Sequence, residues 1–192
     1  MKYFTALIFL ACGYAQAEGA RLGIEYELEK DRKTGIRNHA VTVQPGWEFA
    51  AASPINLVEL LIERSVDEKA DADGSRGHAT KFFLRIGQQR DLTQGIGYYL
   101  RGGAGRSFTN ERDFNYAYIE PGLKLDMSER WELTLGVRVG DAIGGVRGER
   151  ILKYIIAPAY ALDKRNELEF QYVRSRGDED AWSLGLGYVH RF

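Results

Sequence analysis

The final eleven residues, 182–192, alternate between two kinds of side chain, and this alternation constrains the fold more than any other feature of the sequence. One kind is small or polar, and the other is large and apolar, at Trp182, Leu184, Leu186, Tyr188 and Phe192. Alternation with a period of two is typical of a β-strand with one apolar face and one polar face. The segment therefore predicts a strand that lies between two different environments and ends at Phe192.

Nine further segments carry the same alternation. They lie at 22–28, 41–49, 58–63, 81–86, 96–101, 119–125, 131–140, 152–162 and 168–172. Short turn-like segments at 91–94, 126–129 and 163–166 alternate with more varied polar segments at 29–38, 66–78, 107–113, 141–150 and 176–180. Strands joined in this way form an up-and-down antiparallel sheet. We expect an all-β chain of about ten strands, with eight and twelve as the alternatives.

The terminal Phe192, which follows an alternating strand, gives the chain a resemblance to the bacterial outer-membrane β-barrels. The resemblance implies a transmembrane β-barrel in the outer membrane of a Gram-negative bacterium, in contact with lipid and lipopolysaccharide. It also implies that Tyr188 and Phe192 form an assembly signal for the barrel assembly machinery. In such barrels the short turns are periplasmic and the longer loops are external.

The first seventeen residues have the pattern of a secretory signal peptide. Met1-Lys2-Tyr3 is a short basic head, residues 4–11 are apolar, and Ala15-Gln16-Ala17 is a typical cleavage site. We expect cleavage before Glu18, which leaves residues 18–192 as the barrel domain. The only cysteine, Cys12, lies in the removed segment. A lipoprotein acylated at Cys12 is the alternative, but residues 9–11 fit poorly because such a site needs small residues.

The composition argues against several other classes of protein. The formal net charge of −1 argues against a nucleic-acid partner. No later segment approaches the ~18 consecutive apolar residues of a membrane helix. A mean hydropathy below zero with many glycines and tyrosines fits a transmembrane barrel, because its strands alternate polar and apolar residues. The length allows one domain, and we expect a monomer.

Charged residues occupy the polar face of nearly every strand, which favours a barrel whose apolar face points outward. The residues assigned to the lumen on this basis are Glu25, Glu27, Glu59, Glu63, Lys81, Arg85, Arg101, Glu120, Lys124, Glu132, Arg138, Lys153, Glu169 and Arg191. The spacing predicts three opposed pairs: Glu59 with Arg85, Glu63 with Lys81, and Lys124 with Glu132. Such charges either stabilise a narrow interior or line a channel, and the sequence leaves both open.

Aromatic and proline residues add a second pattern along the chain. Aromatic residues near the predicted strand ends indicate two interfacial girdles, one with Trp47, Trp131, Tyr160 and Phe192 and the other with Tyr26, Tyr154, Tyr172 and Trp182. An internal repeat of roughly one hairpin aligns the segments that begin at Pro121 and Pro158, with Pro45 as a weaker copy. Because proline removes a hydrogen bond from the strand ladder, we expect these prolines near the periplasmic rim, at bulges.

The sequence predicts no catalytic site, no metal site and no cofactor. His78, beside Asp71, Asp73 and Ser75, is the only plausible base, and no paired nucleophile motif accompanies it. His39 lies in a polar stretch at a strand start, and His190 has outward parity near the periplasmic rim. The acidic segment 71–74 is similar to a calcium loop, but Lys69 and Thr80 occupy two ligand positions. The glycines at 102–105 and 144–145 lack the Lys-Ser/Thr of a phosphate loop.

For function, the sequence favours a small porin-like channel for polar or charged solutes. The layout is diffusely similar to the small monomeric porins specific for oligogalacturonate, which have twelve strands and are expected to have a strongly basic lumen. The balanced lumen of this chain gives no reason to extend that specificity to it. The alternative is a closed structural or surface-interaction barrel, in which Arg64, Arg106 and Arg174 contact lipopolysaccharide phosphates. An enzyme is the third reading, and the histidines argue against it.

Overall fold

Ten antiparallel strands make up the computed structural model, which describes residues 17–70, 76–110, 113–143, 150–177 and 180–192. The strands are β1 (Ala17–Asp31), β2 (Arg37–Phe49), β3 (Leu57–Ala70), β4 (Arg76–Thr93), β5 (Ile96–Thr109), β6 (Asp113–Asp126), β7 (Trp131–Ile143), β8 (Ile151–Ala161), β9 (Asn166–Gly177) and β10 (Ala181–Arg191). Among these residues no helix is long and apolar enough to cross a membrane. The predicted signal peptide with Cys12 lies outside them, apart from Ala17.

Each strand pairs with its neighbours in sequence, and β1 pairs with β10 to close the barrel. In that closing pair Glu25 lies opposite Gly187 and Glu27 lies opposite Gly185. Closure leaves no strand edge with unpaired backbone groups, which is the condition for a sheet to cross a bilayer. The predicted fold, an up-and-down antiparallel barrel of ten strands, is confirmed.

The apolar side chains point outward and the charged ones point inward. Ile119 is 51% exposed and Leu184 is 50% exposed, whereas Glu59 and Glu120 are 0% and 1% exposed. A soluble protein rarely leaves so continuous an apolar surface in water, but a transmembrane barrel needs one against the hydrocarbon. The outer surface is therefore that of a membrane-spanning barrel.

The two ends of the barrel differ from the predicted pattern of short turns and longer loops. The turn end carries connections 50–56, 94–95, 127–130 and 162–165, and the loop end carries 32–36, 71–75, 110–112, 144–150 and 178–180. The predicted turn at 91–94 is wrong by a few residues, because β4 continues to Thr93 and Gly95 takes the turn with a φ of 78°. The predicted loops are also too long, since backbone pairing continues into polar segments such as Glu29–Asp31. A ladder hydrogen bond does not depend on an apolar side chain.

The prolines do not lie at bulges, contrary to the expectation from the sequence. Pro45, Pro121 and Pro158 lie within β2, β6 and β8 and face outward, paired with Leu22, Leu100 and Leu133 of the preceding strand. Toward the following strand the ladder is interrupted at each of them, and the same register resumes beyond the gap. Each proline thus costs a local ladder contact, because it has no N–H to donate, but it does not shift the strand.

Candidate functional site: the barrel interior

Two cavities lie within the described part of the barrel interior, one toward each end. The turn-end cavity has a volume of about 320 Å³, and its lining includes Arg85, Lys124, Glu132 and Glu169. The loop-end cavity has a volume of about 600 Å³, and its lining includes Glu27, Glu63, Lys81 and Lys153. Arg138, on β7, lines both cavities. The two cavities therefore approach each other at the level of its side chain.

One buried ion-pair cluster lies between β1, β3 and β4. Glu59 of β3 lies directly opposite Arg85 of β4, and the Arg85 Nε donates to the Glu59 carboxylate. On the other side of the same carboxylate, Arg21 Nη2 lies 3.5 Å from Glu59 Oε1. Gln44 extends the cluster, because its amide accepts from Arg85 at 3.4 Å and donates to Glu25 at 3.1 Å. The arrangement holds two guanidinium groups on one fully buried carboxylate.

A second cluster of the same composition lies across β5, β6 and β7. Glu120 accepts from Arg138 at 2.6 Å and from Arg101 at 3.4 Å. Each guanidinium also lies over an aromatic ring, Arg101 over Tyr99 at 4.4 Å and Arg138 over Tyr118 at 4.5 Å. These cation–π contacts and ion pairs fix both side chains against the wall. Arg138 is thus held in place where the two cavities approach each other.

Other inner charges pair nearer the ends of the barrel. Lys81 Nζ lies 2.8 Å from Glu63 Oε1, directly across β3 and β4. Lys124 Nζ lies 2.7 Å from Glu132 Oε2, but the pairing is diagonal, because Lys124 has Thr134 as its register partner. The prediction that Lys124 lies directly opposite Glu132 was wrong in register by two residues, although the side chains still meet. Near the turn end, Arg191 contacts both Glu48 and Glu167.

Three inner carboxylates that lie close together, Glu25, Glu27 and Glu169, form no ion pair with any residue that the structure describes. Glu25 and Glu27 lie on β1 and Glu169 lies on β9, with β10 between these strands.

Carboxylates also outnumber bases along the described inner face and its cavity walls. The carboxylates are Glu25, Glu27, Glu29, Glu48, Glu59, Glu63, Asp67, Glu120, Glu132, Glu167 and Glu169, and the bases are Arg21, Lys81, Arg85, Arg101, Lys124, Arg138, Lys153 and Arg191. Arg90 and Asp91 also line the turn-end cavity, and their opposite charges leave this excess of carboxylates unchanged.

Glycines on the inner face receive aromatic rings from neighbouring strands. A Cβ atom placed on Gly122 or Gly136 would overlap Tyr99, and one placed on Gly103 would overlap Tyr118. The aromatic rings therefore lie flat against the wall rather than across the lumen, in part through mutual contacts such as Tyr116 with Tyr118 at 6.1 Å. Each glycine makes room for a ring on the wall, which leaves the two cavities open.

Sequence reasoning missed several contributors to the interior, above all Arg21, Gln44 and Glu48. The signal for them was present, since Arg21 shares the parity of Glu25, and Gln44 and Glu48 lie between the outward residues of β2. Phe49 shares the parity of the outward residues of β2, which predicts contact with lipid. Its side chain is instead buried and lines the turn-end cavity. The pairing of β1 with β2 shifts at its turn-end terminus, between Ala17 and Gly19.

The histidines have structural partners. His39 Nδ1 lies 2.5 Å from the Tyr26 hydroxyl on the outer face, and His190 Nδ1 lies 2.8 Å from Asn166 Oδ1. The backbone N–H of His78 donates to Asn110 at 3.3 Å. The described residues contain no group of three His, Cys, Asp or Glu side chains that could hold a metal ion. The acidic segment 71–74 and the glycines at 144–145 lie outside the described residues.

Aromatic and basic side chains on the outer surface mark its two ends. At the turn end, Trp131 packs on Tyr160 at 4.9 Å, and Phe192 packs edge-on against His190 at 4.7 Å. The Tyr188 hydroxyl donates to Asn166. Toward the loop end, Arg64 donates to Thr80 at 2.6 Å, Arg106 lies 3.3 Å from Asp113, and Arg174 pairs with Asp180. Tyr172 of the second predicted girdle lies near the middle of β9, so that girdle is less regular than predicted.

No protein-family model and no curated protein matches the chain. Among solved structures, an outer-membrane channel from Pseudomonas putida F1 aligns with a TM-score of 0.59 and 10% identity, over 94% of this chain and 98% of that one. The translocator domain of the autotransporter NalP from Neisseria meningitidis aligns with a TM-score of 0.53 and 11% identity, over 100% and 95%. The KdgM porin in complex with disordered oligogalacturonate aligns with a TM-score of 0.44 and 9% identity, over 90% and 99%. The chain has the fold of the outer-membrane β-barrels.

Proposed function

We propose that this protein is a small porin-like channel of the outer membrane that conducts polar or charged solutes. The observation that carries the proposal is the pair of cavities that enter the barrel from opposite ends and share Arg138 in their walls. A barrel built only for stability would gain from apolar packing at this level, but here the interior is lined by charged groups. The fold shared with the Pseudomonas putida channel is in accord with this function.

The aromatic–glycine packing supports the same proposal. Rings that lie flat over glycines keep their area out of the lumen, as Tyr99 does over Gly122 and Gly136. The ion-pair clusters likewise hold Arg85 and Arg138 against the wall. Water and small ions then have a polar path beside these groups.

Single-channel recording in planar bilayers tests the proposal. The purified protein should give discrete, stable ionic steps, because the cavities provide a polar route through the barrel. A more specific test introduces single cysteines at positions that face either the lumen or the lipid. The protein used for these variants also carries Cys12→Ser. A charged methanethiosulfonate reagent should reduce the conductance of Thr134→Cys, whose side chain lines the turn-end cavity. It should leave Leu135→Cys unchanged, because Leu135 has the outward parity of its strand. Silent bilayers with folded, heat-modifiable protein would contradict a channel.

A closed barrel that contacts lipopolysaccharide is the second candidate, and one observation favours it. Glu59 and Glu120 are almost completely buried at mid-barrel with their guanidinium partners, so the ion pairs fill part of the cross-section. In this case the conductance is absent, and Arg64, Arg106 and Arg174 contact lipid phosphates at the loop end. Exposure of folded protein to lipopolysaccharide should then raise its thermal midpoint, and charge-removing substitutions of these three residues should cancel the effect.

A further inference from the structure

The wall formed by β1, β10 and β9 contains a row of carboxylates that leads from one cavity to the other. Glu27 lines the loop-end cavity and Glu169 lines the turn-end cavity. Glu25 lies between them, since it follows the parity of Glu27 on β1 and shares Gly187 of β10 as a register partner with Glu169. The three carboxylates therefore form a continuous row across the level at which the cavities approach each other.

Glycines of β10 lie beneath this row. A Cβ on Gly185 would lie 2.5 Å from Glu25 Oε1, so the carboxylate lies directly over this glycine. A Cβ on Gly187 would lie 3.5 Å from the Cβ of Glu169. At Gly185 and Gly187 no β10 side chain separates the two acidic flanks, whereas β5 to β7 carry tyrosine rings and guanidinium groups.

The carboxylates of this row and the arginines of the other strands differ in how their charges are compensated. Arg85 and Arg138 each contact a buried carboxylate, Glu59 or Glu120, so their charge is partly compensated and their positions are fixed. Glu25, Glu27 and Glu169 have no such partner among the described residues, and Glu25 accepts only from the Gln44 amide. Field lines from uncompensated charges are focused in a narrow polar passage with low-dielectric walls. Such a passage raises the local concentration of the opposite sign of charge.

From this geometry we infer that solutes cross between the cavities along the Glu27–Glu25–Glu169 row of β1 and β9, and that the passage prefers cations. The inference rests on the proposed channel function and names the charge class of its solutes: inorganic cations and small organic amines. A passage that prefers cations differs from a lumen of balanced charge, which would discriminate little between cations and anions. The surplus of carboxylates along the inner face acts in the same direction.

Reversal potentials in a potassium chloride gradient across a planar bilayer test the preference. The wild-type protein should pass potassium more readily than chloride. Glu25→Gln/Glu169→Gln should shift the permeability ratio towards equality, because two carboxylates of the row become neutral amides of the same size. The control Glu68→Gln/Glu129→Gln makes the same chemical change at exposed positions outside the lumen and should keep the wild-type ratio.

A second pair of variants tests the route. Gly187→Leu places a side chain between Glu25 and Glu169 and should lower the single-channel conductance. Gly102→Leu adds the same group on the outward parity of β5 and should not. Silent wild-type protein that is folded, as judged by heat-modifiability on gels, would overturn the channel itself. Conduction without cation preference, a ratio unchanged in the acidic double variant, or an unaffected Gly187→Leu conductance would overturn this inference and leave the channel intact.

Discussion

Glu59 is a buried residue on which the stability of the interior depends. It is fully buried between Arg21 and Arg85, so Glu59→Gln leaves two guanidinium groups with a neutral partner. Removal of one member of a buried ion pair costs about 3–5 kcal/mol, and we expect a loss of that order in the free energy of unfolding. Urea titration in lipid vesicles, followed by tryptophan fluorescence, measures it.

The exposed pair of Arg37 with Glu68 provides the matched control for this substitution. These side chains are about half exposed and 3.9 Å apart, and an exposed ion pair contributes about 0–1 kcal/mol. Glu68→Gln should therefore change the free energy of unfolding by at most that amount. Equal losses at Glu59 and Glu68 would show that water screens the interior as well as it screens the surface.

At the residue scale, alternation and spacing were enough to place most inner charges but not their exact partners. The spacing within the β3–β4 hairpin gave Glu59 opposite Arg85 because those strands pair without a bulge over that stretch. It failed for Lys124 and Glu132, because the turn 127–130 shifts the register by two residues. Arg21 pairs with β3 across the intervening β2. Contacts beyond adjacent strands depend on barrel curvature, which parity does not encode.

Among the structural elements, the turn 162–165 depends on the charge of Asp163. This carboxylate accepts from the Asn166 side chain at 2.7 Å and from the Arg165 backbone N–H at 2.8 Å. These hydrogen bonds favour the charged form and hold the pKa of Asp163 below its usual range, with the Asn166 side chain as the main cause. A lowered pKa in the folded state contributes stability above the unfolded pKa of about 3.9. That contribution is lost as the pH falls through the folded value.

Asp163→Asn should therefore lower the thermal midpoint of the barrel at neutral pH. The difference from wild type should shrink as the pH falls below about 4 and should vanish below the lower pKa of the folded state, where the wild-type carboxyl is neutral as well. Heat-modifiability on gels after incubation over a pH series measures both midpoints. Lys164→Gln in the same exposed turn is the control and should follow the wild type throughout. A difference that persists at low pH would mean that the charge of Asp163 is not what stabilises the turn.

The strands show where sequence patterns succeed and where they stop. Strand identity followed from period-two alternation in all ten cases, because a side chain in a barrel faces either lipid or lumen. Strand ends were less predictable, as at Thr93, because backbone pairing extends into polar residues beyond the membrane. The prolines were wrongly expected at bulges because the sequence shows the missing N–H but not the gap toward the next strand that tolerates it.

For the whole molecule, the closed topology was predictable and the interior geometry was only partly so. Ten strands joined in sequence leave β1 and β10 to pair with each other, and membrane burial requires that they do. Whether aromatic side chains fill the lumen could not be read from composition. Tyr99 lies flat only because Gly122 and Gly136 arrive beside it from the two following strands, and that coincidence depends on the register of three strands.

Assembly of the whole barrel provides the last prediction, and it concerns Phe192. Its backbone N–H donates to the Ala20 carbonyl at 2.9 Å, but its side chain is 68% exposed and packs edge-on against His190. A side chain this exposed contributes little to the folded barrel, so Phe192→Ser should refold in detergent almost as well as wild type. In cells, however, Phe192→Ser should reach the outer membrane in reduced amount if the assembly machinery recognises this residue.

The control Phe108→Ser removes another exposed outward aromatic side chain near the loop end and should assemble normally. Equal outer-membrane yields of Phe192→Ser and wild type would refute the role of Phe192 as a signal, whereas equal losses in both variants would point to lipid contact instead.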